Sequence, residues 1–465
     1  MQLSFRSGLI PAMAFLLFLL SSCVKDEVTS IKLNNQQLSI KLGQTDSLEA
    51  VVSYSGEMNN APVTISVGDS KILSASLSDT KRVQSGSSFS QRIVISSLAP
   101  GTTTVNISSG SRSITCTVTV TQTTLTMEQS LVINYGVASE LFDNNICSMY
   151  LMPSSFTVDD SLGKISGTGQ LVHLELLLSP SQLAPPATTF KASQVDIANT
   201  FQAGYYKTYN DQSIPMGSNM VDLSSGNVSY TLIKNGTLTV SINGSAYHIE
   251  GDLTTETREV IHITYSGTIS VKDQREKPVS ISPNFTKGEL YYVGDLYNMD
   301  LSDTYVAYLE TADVDLSSST LNGEVLVLQF NTYQGFTSYI PTGTYRMMTK
   351  SALSSFMVKP LTLVPGYVYM PSDGVYYSRG SWYYDSDSRR KLTTGSVTVN
   401  WISGSNYQID YTLYDPIGST VSGSIKASLP LKSLRSAESN RFDSEAKTSK
   451  GFRSPIQFEY KALGK

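Results

Sequence analysis

Residues Gly236 to Leu253 read GTLTVSINGSAYHIEGDL, and residues Gly395 to Leu413 read GSVTVNWISGSNYQIDYTL. Both open on glycine, alternate apolar and polar residues, turn at a second glycine and resume at a tyrosine. The offset is 159 from Gly236 to Gly395 and 160 from Tyr247 to Tyr407. Working outward, Ala203-Gly204-Tyr205 meets Pro365-Gly366-Tyr367 at an offset of 162, and Met149-Tyr150-Leu151 meets Ala307-Tyr308-Leu309 at 158. Downstream, TYSGTIS from Thr264 meets TVSGSIK from Thr420 at 156. Anchors that keep one order with small changes of offset mark an internal duplication, and two copies of roughly 150 residues are too few for a solenoid. They read as two separate homologous domains, 123-275 and 284-430.

Within each copy the hydrophobic period is two. Leu171, His173, Glu175 and Leu177 alternate with Val172, Leu174 and Leu176, and the counterpart sets Val325 and Val327 against Leu326, Leu328 and Phe330. Asn235-Gly236, Asn243-Gly244 and Ser403-Gly404 supply turn residues between short runs. A helical period occurs only near Lys350 to Met357. The expectation is an all-β chain with about eight antiparallel strands per copy, as a sandwich or a closed barrel, which periodicity does not distinguish. The stretch from Leu253 to Tyr265 is longer than its partner from Leu413 to Val421, as insertions in loops are. The YxI…L…G…YxG-like endings of the two copies resemble uncharacterised repeat domains of Bacteroidetes lipoproteins, some of them calycin-like.

Upstream, residues 29-122 alternate in the same way: Ile31 and Leu33; Leu38, Ile40 and Leu42; Leu48 and Val51, with turn residues at Asn34-Asn35, Gly43-Gln44 and Ser55-Gly56. The opening SIKLNNQQLSIKLGQTDSLEAVVS and the ending APGTTTVNISSGSRSITCTVTVTQ resemble the bacterial Ig-like group 2 domain, which implies a β-sandwich spacer. VTISVGDSKILSAS lacks the tryptophan usual in that family, and Val83 to Gln91 reads as a polar insertion that lengthens a loop. Cys116 is in phase with Ile114, Val118 and Val120, which places it on the inward face as a packing residue.

At the amino end, Arg6 followed by the apolar run Leu9 to Leu20 and by Ser21-Ser22 reads as a secretory signal, 1-22. The run falls short of the roughly 20 apolar residues a spanning helix needs. Leu20-Ser21-Ser22-Cys23 resembles the bacterial lipobox, which implies lipidation of Cys23, and Lys25-Asp26-Glu27 resembles the acidic surface-export signal of Bacteroidetes lipoproteins. Residues 23-28 then form a lipidated terminus, and the implied location is the outer membrane, lipid-anchored and facing the cell exterior. Acyl chains contribute about 0.8 kcal/mol per buried CH₂, enough for anchoring without a protein span. At the other end, 431-465 is polar and charged, and IQFEYKAL either frays or adds an edge strand.

Only 16% of the 465 residues are charged and the formal net charge is −5, so the chain has no basic field for nucleic acid. There is no GxxxxGK[ST] loop for nucleotides and no GxSxG elbow. Three cysteines cannot form a disulfide framework, and Cys147 has no basic neighbour in sequence to activate it. His173, His248 and His262 show no HxH or HExxH spacing; His248 and His262 would serve a metal only if adjacent strands brought them together. No cofactor and no metal are expected.

Asp385 and Asp387 are the nearest carboxylate pair for glycoside hydrolysis, but Arg389 and Arg390 beside them point to a solvated charged loop. The segment GYVYMPSDGVYYSRGSWYYDSD, Gly366 to Asp387, holds Tyr367, Tyr369, Tyr376, Tyr377, Trp382, Tyr383, Tyr384 and Asp385. Amphipathic rings beside acids and arginine form either a ligand-binding surface or cross-strand filler in a Tyr-rich sheet. GYYKTYND from Gly204 is a thinner version in the first copy. The functional expectation is a non-enzymatic binding or adhesion module for a glycan or surface protein. The alternatives are a calycin-like carrier of small apolar ligands and, last, a carboxylate-dependent hydrolase.

Overall fold

The computed structural model describes residues 25–57, 61–78, 83–137, 141–159, 163–209, 211–224, 226–315, 322–369, 377–432 and the backbone of 457–460. The signal segment 1-22, Cys23, Tyr376 and most of the tail 431-465 lie outside the described residues. The chain divides into two compact units: one runs to Leu125 and includes Asp252–His262, and the other comprises Thr126–Gly251 with Ile263 onward. Among the described residues no helix is long and apolar enough to cross a membrane.

The first unit is a β-sandwich. One sheet orders Glu27–Leu33, Thr45–Ser55, Ser88–Ser97 and Leu73–Leu77, with Val83–Ser85 added beside Ser88–Ser97; the other orders Gln37–Lys41, Arg112–Thr121, Gly101–Ser109 and Val63–Val67. Inward residues at period two, among them Leu48, Val52, Phe89, Ile93, Val105, Ile107, Cys116 and Val118, fill the space between the sheets. The first strand starts at Glu27. One expectation needs correction. The Val83 to Gln91 stretch is a paired hairpin, not a loop, because Gln84 lies opposite Phe89, whose ring is buried. The tip Asp252–His262 belongs to this unit: Val260 N–H donates to Leu42 O at 2.8 Å, and Lys41 Nζ reaches Glu259 Oε1 at 2.6 Å. Gly43 allows this, since at φ +87° a Cβ would stand 2.1 Å from Arg258 O.

In the second unit each copy is one ladder. In the first copy the order is Thr123–Met127, Val260–Thr268, Ala246–Thr255, Ser229–Asn243, Thr189–Ser193, Thr200–Gln202, Gln170–Leu178, Asn145–Met152, Gln129–Asn134, Val271–Asp273. In the second it is Ser280–Ile281, Thr420–Ser428, Asn406–Tyr414, Thr394–Ser403, Gly343–Met347, Thr362–Leu363, Val325–Thr332, Asp303–Glu310, Lys287–Gly294, Leu431–Lys432. The orders match member for member, and Asn219–Asp222 and Trp382–Tyr384 join the same strand in each. The sheets have 11 and 12 strands where about eight were expected, because segments of two to five residues extend the ladder, several of them in parallel pairing.

The last member of each ladder, Val271–Asp273 or Leu431–Lys432, follows directly in the chain on a strand near its other end, Val260–Thr268 or Thr420–Ser428, so the ladder curls round a core. In the second copy, Tyr305, Leu328, Phe330 and Tyr345 meet Val397, Val399, Tyr407, Ile409, Tyr411 and Leu413 inside it. The stretch from Gly395 to Leu413 is thus the inner hairpin: Val397 lies opposite Tyr411, Val399 opposite Ile409, and Gly404 turns at φ +56°. Asn235-Gly236 is not a turn. Ser229–Asn243 runs straight through it, pairing first with Asn219–Asp222 and then with Thr189–Ser193, and Gly236 at φ +131° absorbs the change of partner. Near Lys350 to Met357 there is one short helix, Lys350–Ser354, capped by Thr349. The backbone of Gln457–Tyr460 pairs in parallel with Lys164–Gly167.

Candidate binding surface

The aromatic segment divides into filler and hairpin. Trp382–Tyr384 is a central strand opposite Val325–Val327, and its three rings are 1%, 2% and 8% exposed. Tyr383 points into the inner core and its phenol donates to the Glu324 carboxylate; burial and then that carboxylate push the phenol well above its ordinary range. Trp382 and Tyr384 point to the opposite face, where Val314, Val325 and Val327 cover them, and the indole donates to Arg379 O at 2.7 Å. Their ring faces are covered by protein, so Trp382, Tyr383 and Tyr384 present nothing to a ligand. Asp385 spends its carboxylate on its own turn, accepting from Asp387 N at 2.8 Å and from Ser388 N and Oγ at 2.6 and 2.7 Å.

The rest of the segment forms a hairpin of its own, Tyr367–Tyr369 with Tyr377–Arg379, in which Tyr367 faces Arg379 and Tyr369 faces Tyr377. Tyr369 is 52% exposed, and the Arg379 guanidinium sits 5.3 Å from the Tyr377 ring centre, within cation–π range. Tyr367 is half-buried against the cluster of Met348, Val358 and Val364. The first copy builds the same hairpin from Tyr205–Tyr209 and Gln212–Met216, with Tyr205 facing Met216 and with Tyr205, Tyr206 and Ile214 exposed.

Both hairpins leave the sheet through one duplicated base. A Cβ on Gly204 would stand 2.3 Å from Ser218 O, and one on Gly366 would stand 2.5 Å from Ser381 O. Gly217 and Gly380 close the hairpins at φ +68° and +82°. Ser218 Oγ and Ser381 Oγ accept from the N–H groups of Glu175 and Gln329. The Ala-Gly-Tyr and Pro-Gly-Tyr anchors therefore mark where a hairpin must pass close to backbone.

The histidines are used singly. His248 Nδ1 lies 2.9 Å from Ser266 Oγ, His262 Nδ1 lies 2.9 Å from Asp252 Oδ1, and His173 stacks on Tyr150 with ring centres 4.4 Å apart. His248 and His262 are not brought together, and among the described residues no group of three His, Cys, Asp or Glu could hold a metal. Cys116 and Cys147 are buried, and burial raises the Cys116 thiol.

Sequence reasoning missed two features. Lys391, 4% exposed, reaches from the second copy to Phe142 O at 2.6 Å and to Asp143 at 2.5 Å, and Lys350 pairs with the same carboxylate. This joint ties the two copies to each other within the second compact unit. The second feature is an exposed apolar end formed by the 295–302 loop with Phe356 and Met357. Nothing in the spacing of these residues signals either one; they meet only through the ladder.

No family model matches the chain, and no curated protein matches it. Among solved structures it is similar to domains 4 and 5 of the S-layer protein SbsC, at 18% identity over 21% of this chain and 53% of that one, with a TM-score of 0.17. The Escherichia coli adhesin FdeC aligns at 10% identity over 86% of this chain and 98% of that one, TM-score 0.16. The Yersinia pseudotuberculosis adhesin InvE aligns at 9% identity over 57% and 69%, TM-score 0.17. The chain spans about half the length of the first of these. Likenesses at these scores carry no argument about what the chain does.

Proposed function

We propose that this chain is a non-catalytic cell-surface binding or adhesion module, and that the two tyrosine-bearing hairpins engage its ligand, a glycan or a surface protein. One observation carries the reading: the same hairpin leaves the same place in both copies and exposes tyrosine above a buried base. Rings with a polar tip stack on apolar faces of sugars and side chains, while Lys207 and Arg379 on the same hairpins supply donors. Two such sites on one body raise avidity without any new contact. The lipobox-like Leu20-Ser21-Ser22-Cys23 supports an acyl anchor at Cys23 in the outer membrane, with the Ig-like unit as spacer and the remainder facing outward. A carrier would need an open interior, whereas in the second copy Tyr292 meets Tyr305 at 5.1 Å between ring centres and Phe330 meets Tyr345 at 5.0 Å.

The test is a glycan array and a panel of surface proteins probed with the full chain and with a Tyr206→Ala, Tyr369→Ala, Arg379→Ala variant. Binding that falls at least about tenfold in the variant supports the reading. A well-folded parent that binds neither class, or a variant that binds as the parent does, overturns it.

A further inference from the structure

Two lysines of the second copy converge on the Asp143 carboxylate of the first. Lys350 opens the short helix Lys350–Ser354, and its Nζ is in contact with Oδ2. Lys391 closes the strand Arg389–Lys391, where it faces Trp382; its Nζ lies 2.5 Å from Oδ1 and donates to Phe142 O at 2.6 Å. The backbone that carries the carboxylate is pinned, because Asp143 N–H donates to Asp196 Oδ2 at 2.5 Å and Asn144 Nδ2 to Asp196 Oδ1 at 2.8 Å. The Lys391 side chain is 4% exposed and that of Asp143 23%, and Oδ1 is shut off from solvent.

The two lysines are not equivalent. Lys350 is half-exposed, and burial followed by the charge of Lys391 lowers its ammonium from the ordinary range to about 8. A large share of Lys350 is therefore neutral in mildly alkaline solution, and the neutral amine is the form that attacks carbon. Lys391 at Oδ1 draws charge from the carboxyl, as a donor in an oxyanion hole does. Groups held in contact react as if at effective molarities of about 10⁵–10⁸ M, which offsets the reluctance of amine and carboxylate to condense in water. The condensed product is also easier to bury. The charges of Lys350 and Asp143 disappear, and Lys391 remains with Asp196, which it already attracts.

We propose that Lys350 Nζ and Asp143 Cγ condense into an amide that links the two copies covalently, with Lys391 polarising the carboxyl. The N–C bond forms and the Cγ–Oδ2 bond breaks. Of the three protons on the Lys350 ammonium, one stays on the amide nitrogen and two leave with Oδ2 as water, so the step balances within the joint. The amide fixes both copies, and the hairpins they carry, on one cross-linked body.

The experiment is mass spectrometry of tryptic peptides from the purified full chain, kept folded at a pH near the Lys350 value of about 8 before digestion. The peptide that contains Asp143 is expected joined to the one that contains Lys350, lighter than their sum by one water, with trypsin no longer cutting after Lys350. Lys350→Arg, a change at a half-exposed side chain, should abolish the linked peptide. Lys391→Met keeps both reacting groups and should slow linking at least about tenfold. Its fold is checked by circular dichroism, and the Lys350→Arg comparison stands without it. An ion pair only, seen as separate peptides at their full masses from a folded parent, overturns the proposal. So does a linked peptide that persists in Lys350→Arg, and linking at the parent's rate in a folded Lys391→Met variant overturns the part given to Lys391.

Discussion

Two tyrosines fourteen residues apart behave oppositely: Tyr369 is half in solvent, and Tyr383 is sealed between Glu324 and the inner core. Trp382→Ala is expected to cost about 3–5 kcal/mol, the range for emptying a large buried ring site, while Tyr369→Ala stays within about 0.5 kcal/mol; chemical denaturation separates the two. Gly366→Ala should cost about 1–3 kcal/mol, because its Cβ would press on Ser381 O and on Lys391, whose side chain is fixed in the joint, and the same unfolding curves read it. The sequence segment shows six tyrosines at once and cannot sort them. Sorting depends on Val325–Thr332 being buried on both faces, so that alternation on the neighbouring strand sends Tyr383 to one core and Trp382 and Tyr384 to another. Cys116 was legible because its sheet has one wet face and one dry one.

At the scale of elements, the duplication was readable to within a few residues, since glycines forced by close backbone contact and inward apolar residues both resist change of position. The short parallel edge strands were not readable, because two or three residues carry no period. Asn235-Gly236 misled for a physical reason: a glycine that lets a strand change partners looks in sequence like a glycine that turns it. The Arg390 guanidinium binds Asp415 at 3.1 Å and Glu276 at 2.8 Å, and Asp415, 7% exposed, also accepts from Ser419 N at 2.7 Å. Arg390→Met would strand that carboxylate and should cost about 3–5 kcal/mol, whereas Glu276→Gln at the exposed side of the pair should cost under about 1 kcal/mol; thermal and urea unfolding check both.

For the whole molecule, the two copies lie in one compact unit, and a lysine in one meets a carboxylate in the other, a pairing that no local pattern announces. The copies should therefore unfold together in the parent, and Asp143→Asn with Lys391→Met should uncouple them into two transitions by calorimetry. That body holds two copies of one hairpin, and paired recognition by those hairpins is the centre of the functional reading. It is tested most directly by surface plasmon resonance of the full chain on the glycan or protein surface it binds, comparing Tyr206→Ala, Tyr369→Ala and the double variant. Partial binding by each single variant and none by the double, with unfolding midpoints unchanged, is the expected result. A double variant that binds as tightly as the parent would contradict it.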